Sequence, residues 1–360
     1  MQAPSISDDT IAVTPSVAPA SLAYLGVDRF IRSFIDAGAL RSAFELRLID
    51  RLEGGAAVPF EVLASHSGAD PQGLRFLLDL LTANEVLVTR DGAAALSPAF
   101  AQALPYRDLL EAKLEHAALM AGDFANLFTA AVANPQRFMR HARLFKVFDY
   151  GRCFDATPEN LRHTQRWMRL TTALTRHEAA VCMDLFDMSP HRRLLDVGGN
   201  SGEFAIQACR RHAHLHAAVA DLPVVCDLGL EHVLNAPERG RIGFHALDLR
   251  RQPLPRGHDL ISFKSMLHDW PQEEALDFID KAYAALEPGG TLLIFERGPL
   301  EVRAQTPDYA ALPVMMFFRS YRSASVYLQK LHALGMSDLQ CLHLKLDTPF
   351  FLVSARKGTA

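Results

Sequence analysis

The sequence predicts an α/β protein, with a doubly wound, mostly parallel sheet that ends in an antiparallel strand and is preceded by a helical unit of winged-helix type. Three observations carry this. From Arg192 onward short apolar runs alternate with helical ones (RRLLDVGG, SGEFAIQACRRH, LHAAVADL, IGFHALDL, HDLISFK, GTLLIFERG), the rhythm of a parallel sheet with helices on both faces. The C-terminus breaks the rhythm, because only Thr348 and a short turn separate LQCLHLKLD from PFFLVSARK. A parallel pair needs a long crossover, so these two strands must be antiparallel. Between about Leu22 and Leu104 short helices lead into a hairpin.

The opening MQAPSISDDTIAVTPSVAPAS is rich in Ala, Ser and Pro and reads as a loose tail, residues 1–19. VDRFIRSFIDAGALRSAFELRLIDRLEGG has helical periodicity and stops at Gly54-Gly55. PFEVLASHS and DPQGLRFLLDLLTANEV read as two helices joined by a tight turn, with Asp70 as N-cap and Pro71 at the first helical position. VLVTRDGAAALSP reads as a hairpin turning at Asp91-Gly92. This winged-helix unit spans 20–104. Its recognition-like helix carries Arg75 against Asp70 and Asp79, and its wing offers Arg90. Phosphate neutralisation needs several cations, so the unit is read as an oligomerisation module and not a DNA reader. Residues 105–187 read as a helical linker with Phe, Met and Trp at helical spacing, mostly core. The sheet domain follows over 188–360.

Composition narrows the function. The chain has 360 residues, 49% of them hydrophobic and 22% charged, with net charge −4. A packed core is implied, and a nucleic-acid footprint is not. The five cysteines (Cys153, Cys182, Cys209, Cys226, Cys341) are scattered and include no Cys-x-x-Cys. They read as reduced thiols of a cytoplasmic protein. No signal peptide and no bilayer-length apolar run is visible, so no membrane partner is expected. His212, His214 and His216 alternate along RRHAHLHAAV, but no nearby acid or Cys completes a metal site, and the run is read as entering strand two.

LLDVGGNSGEF, residues 194–204, is a glycine-rich turn between strand and helix. Gly198, Gly199 and Gly202 permit close backbone approach to a ligand at the carboxyl ends of the strands. The Gly-Gly-x-x-Gly spacing is not the dinucleotide fingerprint. Asp221, in VADLP, ends the second strand at a distance that suits ribose hydroxyls, and Asp248, ending the third, could receive an adenine amine. An acid at a strand end also serves as a helix cap. The two in order read as an adenosine site.

LLDVGGNSG, ADLP, ALDLRRQPLP, FKSMLHDWPQEEA and EPGGTLLIFERG together resemble the S-adenosylmethionine-dependent O-methyltransferases of the plant caffeate and bacterial phenazine type, over residues 20–356. The resemblance implies a class I methyltransferase sheet and a homodimer that exchanges parts of its N-terminal region. It implies cofactor contacts from Gly198, Gly199, Asp221, Leu222, Asp248, Leu249 and Lys264. It makes His268, in the family-specific HDWP, the base, and Glu296, 28 residues on, the first supporting acid. Three positions depart from the pattern. Asn200 replaces a third glycine, Leu249-Arg250 replaces Met-Phe, and Tyr321 stands where a second supporting glutamate is usual.

A histidine near a helix end is often only a cap. At His268 the surroundings argue for chemistry, because Lys264, Asp269, Trp270 and Glu296 complete the constellation. A phenol is mostly protonated at neutral pH, and an imidazole with pKa near ~6.5 can take its proton as the methyl moves. Glu296 would steady the imidazolium as a triad acid does, with Tyr321 as its neutral companion. No metal is required. Trp167, Met168, Met315, Met316, Phe317 and Phe318 are the expected walls for a flat apolar small molecule, with Asp269 beside them. The expected function is O-methylation of a hydroxylated aromatic or polyene compound. Methylation of carbon, nitrogen or sulfur, or cofactor use without methyl transfer, is the first alternative. A winged-helix ligand-sensing regulator is the second.

Overall fold

The helical half and the strand-and-helix half fold as separate compact units in the computed structural model, which describes residues 19–300, 308–317 and 320–359. One unit is built on Leu22–Lys146 together with residues 308–314, the other on residues 147–300 and 315–359. The division falls inside the stretch 105–187 that the sequence reads as one linker.

In the first unit the long helical run is broken into pieces. A 3-10 stretch, Pro19–Phe30, comes first. α1 (Phe34–Glu45) restarts at Ser33, whose hydroxyl accepts from the Asp36 N–H while Asp36 accepts from the Ser33 N–H. This reciprocal box satisfies two donors that a helix start leaves bare. Arg47, left-handed at φ 56°, separates α1 from α2 (Leu48–Leu52). After β1 (Val58–Pro59) come α3 (Phe60–Ser67) and α4 (Pro71–Ala83), the latter capped by Asp70, which accepts from the Gly73 N–H at 2.8 Å. β2 (Leu87–Arg90) and β3 (Ala93–Leu96) form the hairpin, and β1 adds to β3. Asp91 and Gly92 are both left-handed, the turn whose twist matches that of the strands. Arg75 lies beside Asp79, and Arg90 beside Asp91. The helices α5 (Pro98–Ala103), α6 (Arg107–Ala133), α7 (Pro135–His141) and α8 (Arg143–Val147) complete this unit. Phe34, Ile35 and Phe76 on it are mostly exposed.

The second unit opens with the 28-residue α9 (Pro158–Leu185). β4 (Arg193–Val197), α10 (Glu203–Arg211), β5 (His216–Asp221), α11 (Pro223–Leu234), β6 (Ile242–Ala246), β7 (His258–Lys264), α12 (Gln272–Ala285) and β8 (Leu286–Arg297) follow. β9 (Ser337–Lys345) and β10 (Pro349–Arg356) end the chain. The sheet order is β6-β5-β4-β7-β8-β10-β9. The first five strands are parallel, and β10 is antiparallel to both β8 and β9. The chain reverses direction across the sheet between β4 and β7, and ligands of such sheets bind outside the carboxyl ends there. EPGG sits within β8, where pairing with β7 jumps from His258↔Leu286 to Leu260↔Thr291. Gly289, at φ 75°, makes that bulge possible. Asp248 lies two residues past β6 and does not end it.

Inward-facing side chains of the central strands (Leu195, Val197, Ile261, Phe263, Leu292, Ile294) pack with Phe278, Ile279 and Ala282 of α12 and with Phe351 and Val353 of β10. This core sets the strand ends that carry the site. Phe263 is wholly buried one residue before Lys264. Phe263→Ala should therefore cost about 3–5 kcal/mol, read as a lowered urea midpoint with an unchanged slope.

Candidate active site

Site chemistry gathers at the carboxyl ends of β4, β5, β7 and β8. After β4 the chain turns at Gly198 (φ 67°) and Asn200 (φ 57°). The glycine at 198 is needed twice over. Its φ is left-handed, and an added Cβ would lie 2.3 Å from Met266 Cγ. At Gly199 a Cβ would meet Asp196 Oδ2 at 2.5 Å. Asn200 occupies the left-handed region that asparagine tolerates better than most residues, and its N–H donates to Asp221 Oδ2 at 2.8 Å. Asp221 Oδ1 accepts from the Leu222 N–H at 2.7 Å. Two amides thus aim the carboxylate, while burial pushes its pKa up to about 6. Gly198, Gly199, Asp221 and Leu222 therefore converge.

Two expected cofactor contacts also hold protein partners. Asp248 is gripped by Arg250, Nε to Oδ1 at 3.0 Å and Nη2 to Oδ2 at 3.1 Å. Burial raises the pKa of Asp248, but the guanidinium outweighs it and holds the group below the ordinary value. Lys264 Nζ bonds the Thr175 hydroxyl at 2.9 Å and pairs with Glu178. Glu178, buried on α9, also accepts from Arg297 at 2.8 Å, and Arg297 bonds Asp347 at 2.8 Å and Thr348 at 2.9 Å. Leu249 is buried in the core of the sheet.

His268 sits on the 3-10 turn Leu267–Asp269 that follows β7. Its Nδ1 lies 2.6 Å from Glu296 Oε1, and its Nε2 lies 3.4 Å from Asp269 Oδ1. Glu296 holds Nδ1 closely, and the contact at Nε2 is the looser one. Burial pulls the His268 pKa down, but Glu296 and Asp269 outweigh it and set it above the ordinary imidazole value. Glu296 is wholly buried, which raises its pKa. His268 and the Arg297 N–H, which donates at 2.7 Å, outweigh that and keep it ionised. Tyr321 meets the His268 ring edge-on, centroids 5.1 Å apart. Burial drives its hydroxyl pKa well above the ordinary value.

Around this centre Trp167 is buried against Phe148 and Tyr150, and Phe148 meets Phe317. Met168 and Met316 are buried and Met315 partly so. Phe318 lies outside the described residues. Two residues escape sequence reasoning. Tyr150 donates to Asp269 Oδ2 at 2.8 Å and stacks on Trp270. Arg322 grips the turn that carries His268, bonding Leu267 O at 3.0 Å and also Trp270 O. Both lie far from HDWP in sequence, and no local pattern marks them. Among the described residues no cluster of His, Cys, Asp and Glu could hold a metal ion.

The site has a backbone cradle opened by two glycines, an aimed acid at the next strand end, and an imidazole backed by a buried carboxylate. These parts define an α/β group-transfer enzyme built around an adenosyl ligand. Residues 130–335 match the O-methyltransferase domain family and residues 29–103 the O-methyltransferase dimerisation domain. The chain belongs to this family and is an S-adenosylmethionine-dependent methyltransferase. It is 35% identical over 188 residues to the 3-hydroxy-5-methyl-1-naphthoate 3-O-methyltransferase of Streptomyces sahachiroi, a match spanning 51% of this chain and 53% of that relative. It is 29% identical to the N,N-dimethyltransferase OxyT of Streptomyces rimosus, over 73% of this chain and 75% of that one. Its fold matches human N-acetylserotonin methyltransferase, solved with S-adenosylmethionine, at TM-score 0.71 and 21% identity, covering 96% of this chain and all of the other.

The cofactor can be tested against residues present. Trp167 Nε1 is buried with no hydrogen-bond partner among the described residues, a donor available to a bound acceptor. The tight turn at Gly198 and the aimed Asp221 suit a ligand pressed against backbone. The residues fit.

Glu178 neutralises two buried cations at once. Breaking such a network by removing one partner costs about 3–5 kcal/mol. Glu178→Gln should lower stability by that amount in urea titration, whereas Arg75→Gln, at an exposed pair, should leave it within about 0.5 kcal/mol.

Proposed function

We propose that the chain transfers a methyl group to the hydroxyl of a flat, hydroxylated aromatic small molecule, with His268 as general base. The observation that carries this is the short contact between His268 Nδ1 and the buried Glu296, 2.6 Å. It fixes the tautomer and leaves Nε2 as the proton acceptor. Phe317 meets the His268 ring at 6.3 Å, and Phe148, Trp167 and Tyr150 continue from it as a run of aromatic rings. The naphthoate named for the Streptomyces sahachiroi relative is of the matching class. When bound, S-adenosylmethionine supplies an electrophilic methyl on a sulfonium. Asp221 would bond its ribose, the Gly198–Gly199 turn would lie along it, and Trp167 would offer its N–H. His268 takes the hydroxyl proton at Nε2 as the oxygen gains its carbon, and Glu296 steadies the resulting imidazolium. No described helix is long and apolar enough to cross a membrane. The dimerisation-domain match, with Phe34, Ile35 and Phe76 exposed on the same unit, supports a homodimer paired through it.

Tyr321 in the place of a second glutamate supports one other reading, a nitrogen acceptor as in the name of OxyT. An amine that is already neutral needs no base.

Screening hydroxynaphthoates and other phenols with methyl-labelled donor supplies the acceptor for three tests. His268→Gln should lower turnover by about 10² to 10⁴-fold with cofactor affinity nearly unchanged. Turnover equal to wild type across pH 6 to 9 would favour the nitrogen acceptor. The base works only when neutral and its pKa lies above the ordinary value, so turnover should rise with pH and level off only above about 6.5. A profile already flat at pH 6 contradicts the assignment. Asp221→Ala should weaken S-adenosylmethionine binding roughly ten-fold or more by calorimetry.

A further inference from the structure

We propose that Tyr150 is a positioning residue of the reaction centre: its hydroxyl holds Asp269 against the open nitrogen of His268, so that Asp269 supplies the second carboxylate that Tyr321 does not. This rests on the reading of His268 as base.

The geometry is a chain of four side chains. Tyr150 Oη donates to Asp269 Oδ2 at 2.8 Å, Asp269 Oδ1 faces His268 Nε2 at 3.4 Å, and His268 Nδ1 meets Glu296 Oε1 at 2.6 Å. The imidazole therefore stands between two carboxylates, one on each nitrogen. The contacts are unequal. Glu296 is close enough to fix the tautomer. Asp269 is farther than a hydrogen bond, near enough to stabilise an imidazolium without occupying Nε2.

Asp269 would not keep this pose unaided. It follows His268 directly and its side chain is only 21% exposed; partial desolvation raises its pKa, and His268 and Tyr150 act against that rise. Tyr150 is itself fixed. Its ring stacks on Trp270, centroids 5.9 Å apart at 24°, and meets Trp167 edge-on at 5.7 Å and 70°. The short turn Tyr150–Phe154 is capped by Asp149, which accepts from the Gly151 N–H at 3.1 Å. Two rings and a capped turn leave the hydroxyl pointed at one carboxylate oxygen. The charged and titratable groups facing His268 are Glu296, Asp269 and Arg297, with the Tyr321 ring against it. Those facing Asp269 are His268, Tyr150 and Glu296, and Asp221 feels its charge. Tyr321 stays neutral, so Asp269 is the acid placed to do what a second glutamate would.

The test needs no acceptor. In the full-length protein saturated with S-adenosylhomocysteine, histidine labelled with ¹³C reports the His268 Cε1–H resonance against pH, assigned by its loss in His268→Gln. Tyr150→Phe keeps the ring and removes the bond that favours ionised Asp269. It should lower the His268 midpoint by about half a unit or more, roughly three-fold in proton affinity. Asp269→Asn should lower it further. Tyr150→Phe added to Asp269→Asn should change nothing more. An unmoved midpoint in Tyr150→Phe, an unmoved midpoint in Asp269→Asn, or an equal drop from Tyr150→Phe in both backgrounds would each overturn the proposal. The last result would mean that Tyr150 acts by packing alone. Failure of the base reading looks different, because His268→Gln would then retain turnover while the titration still reported the link between Tyr150 and Asp269.

Discussion

One buried carboxylate fixes the strand ends on which the site depends. Glu178, fully enclosed on α9, is shared by Lys264 at the end of β7 and Arg297 at the end of β8. Burial alone would strip charge from such groups. For Arg297 it acts against the charge, but Asp347 and Glu178 outweigh it and push the pKa further up. Buried ion networks add little stability over a well-packed apolar substitute, yet they hold geometry because no half of the pair can leave alone. Here the geometry held is the spacing of two parallel strands. His268 follows the end of one by a few residues, and Glu296 is the penultimate residue of the other. The short contact between them is set by that spacing and closed by Arg322, which grips the turn from its other side.

Acids accumulate around that frame. Asp196 and Glu296 are wholly enclosed, Asp221 and the side chain of Asp269 partly so, and burial raises Asp196 to about 7 and Asp221 to about 6. Asp196 keeps one oxygen on the Ser262 hydroxyl at 2.7 Å. Clustered carboxylates resist ionising together, and a nearby positive charge relieves them all. A sulfonium is such a charge.

Much of this was legible in the sequence because it is local. Strand ends, the glycine turn, the hairpin at Asp91-Gly92 and the N-cap at Asp70 follow from neighbours in the chain. The break at Ser33 was missed because a helical period runs through it, and only the capping box reveals the restart. What sequence could not supply was pairing across space. Lys264 pairs with Glu178, 86 residues away, a partner no local pattern marks. Tyr150 carries no motif at all, yet it reaches Asp269 across 119 residues. Tyr321, 53 residues past His268 in the chain, meets its ring edge-on at 5.1 Å.

Asp248 illustrates how a departure from the family pattern is absorbed. Arg250 stands where an aromatic ring is usual, and its guanidinium takes both oxygens of Asp248 while lying over Trp270 at 5.4 Å and Phe154 at 6.0 Å. Lys281 fixes the backbone beneath, bonding Leu249 O at 2.6 Å and Arg250 O at 3.2 Å. A guanidinium is flat and stacks as a ring does, so a planar surface survives the replacement. It adds a charge that a ring lacks, and that charge keeps Asp248 ionised. Each carboxylate oxygen retains a second lone pair after accepting from arginine. An amine on an incoming base can therefore still donate to Asp248, now against a carboxylate held in one plane by two bonds. Arg250 thus sets a rigidly held acid beside a flat cation, a planar surface that carries a charge.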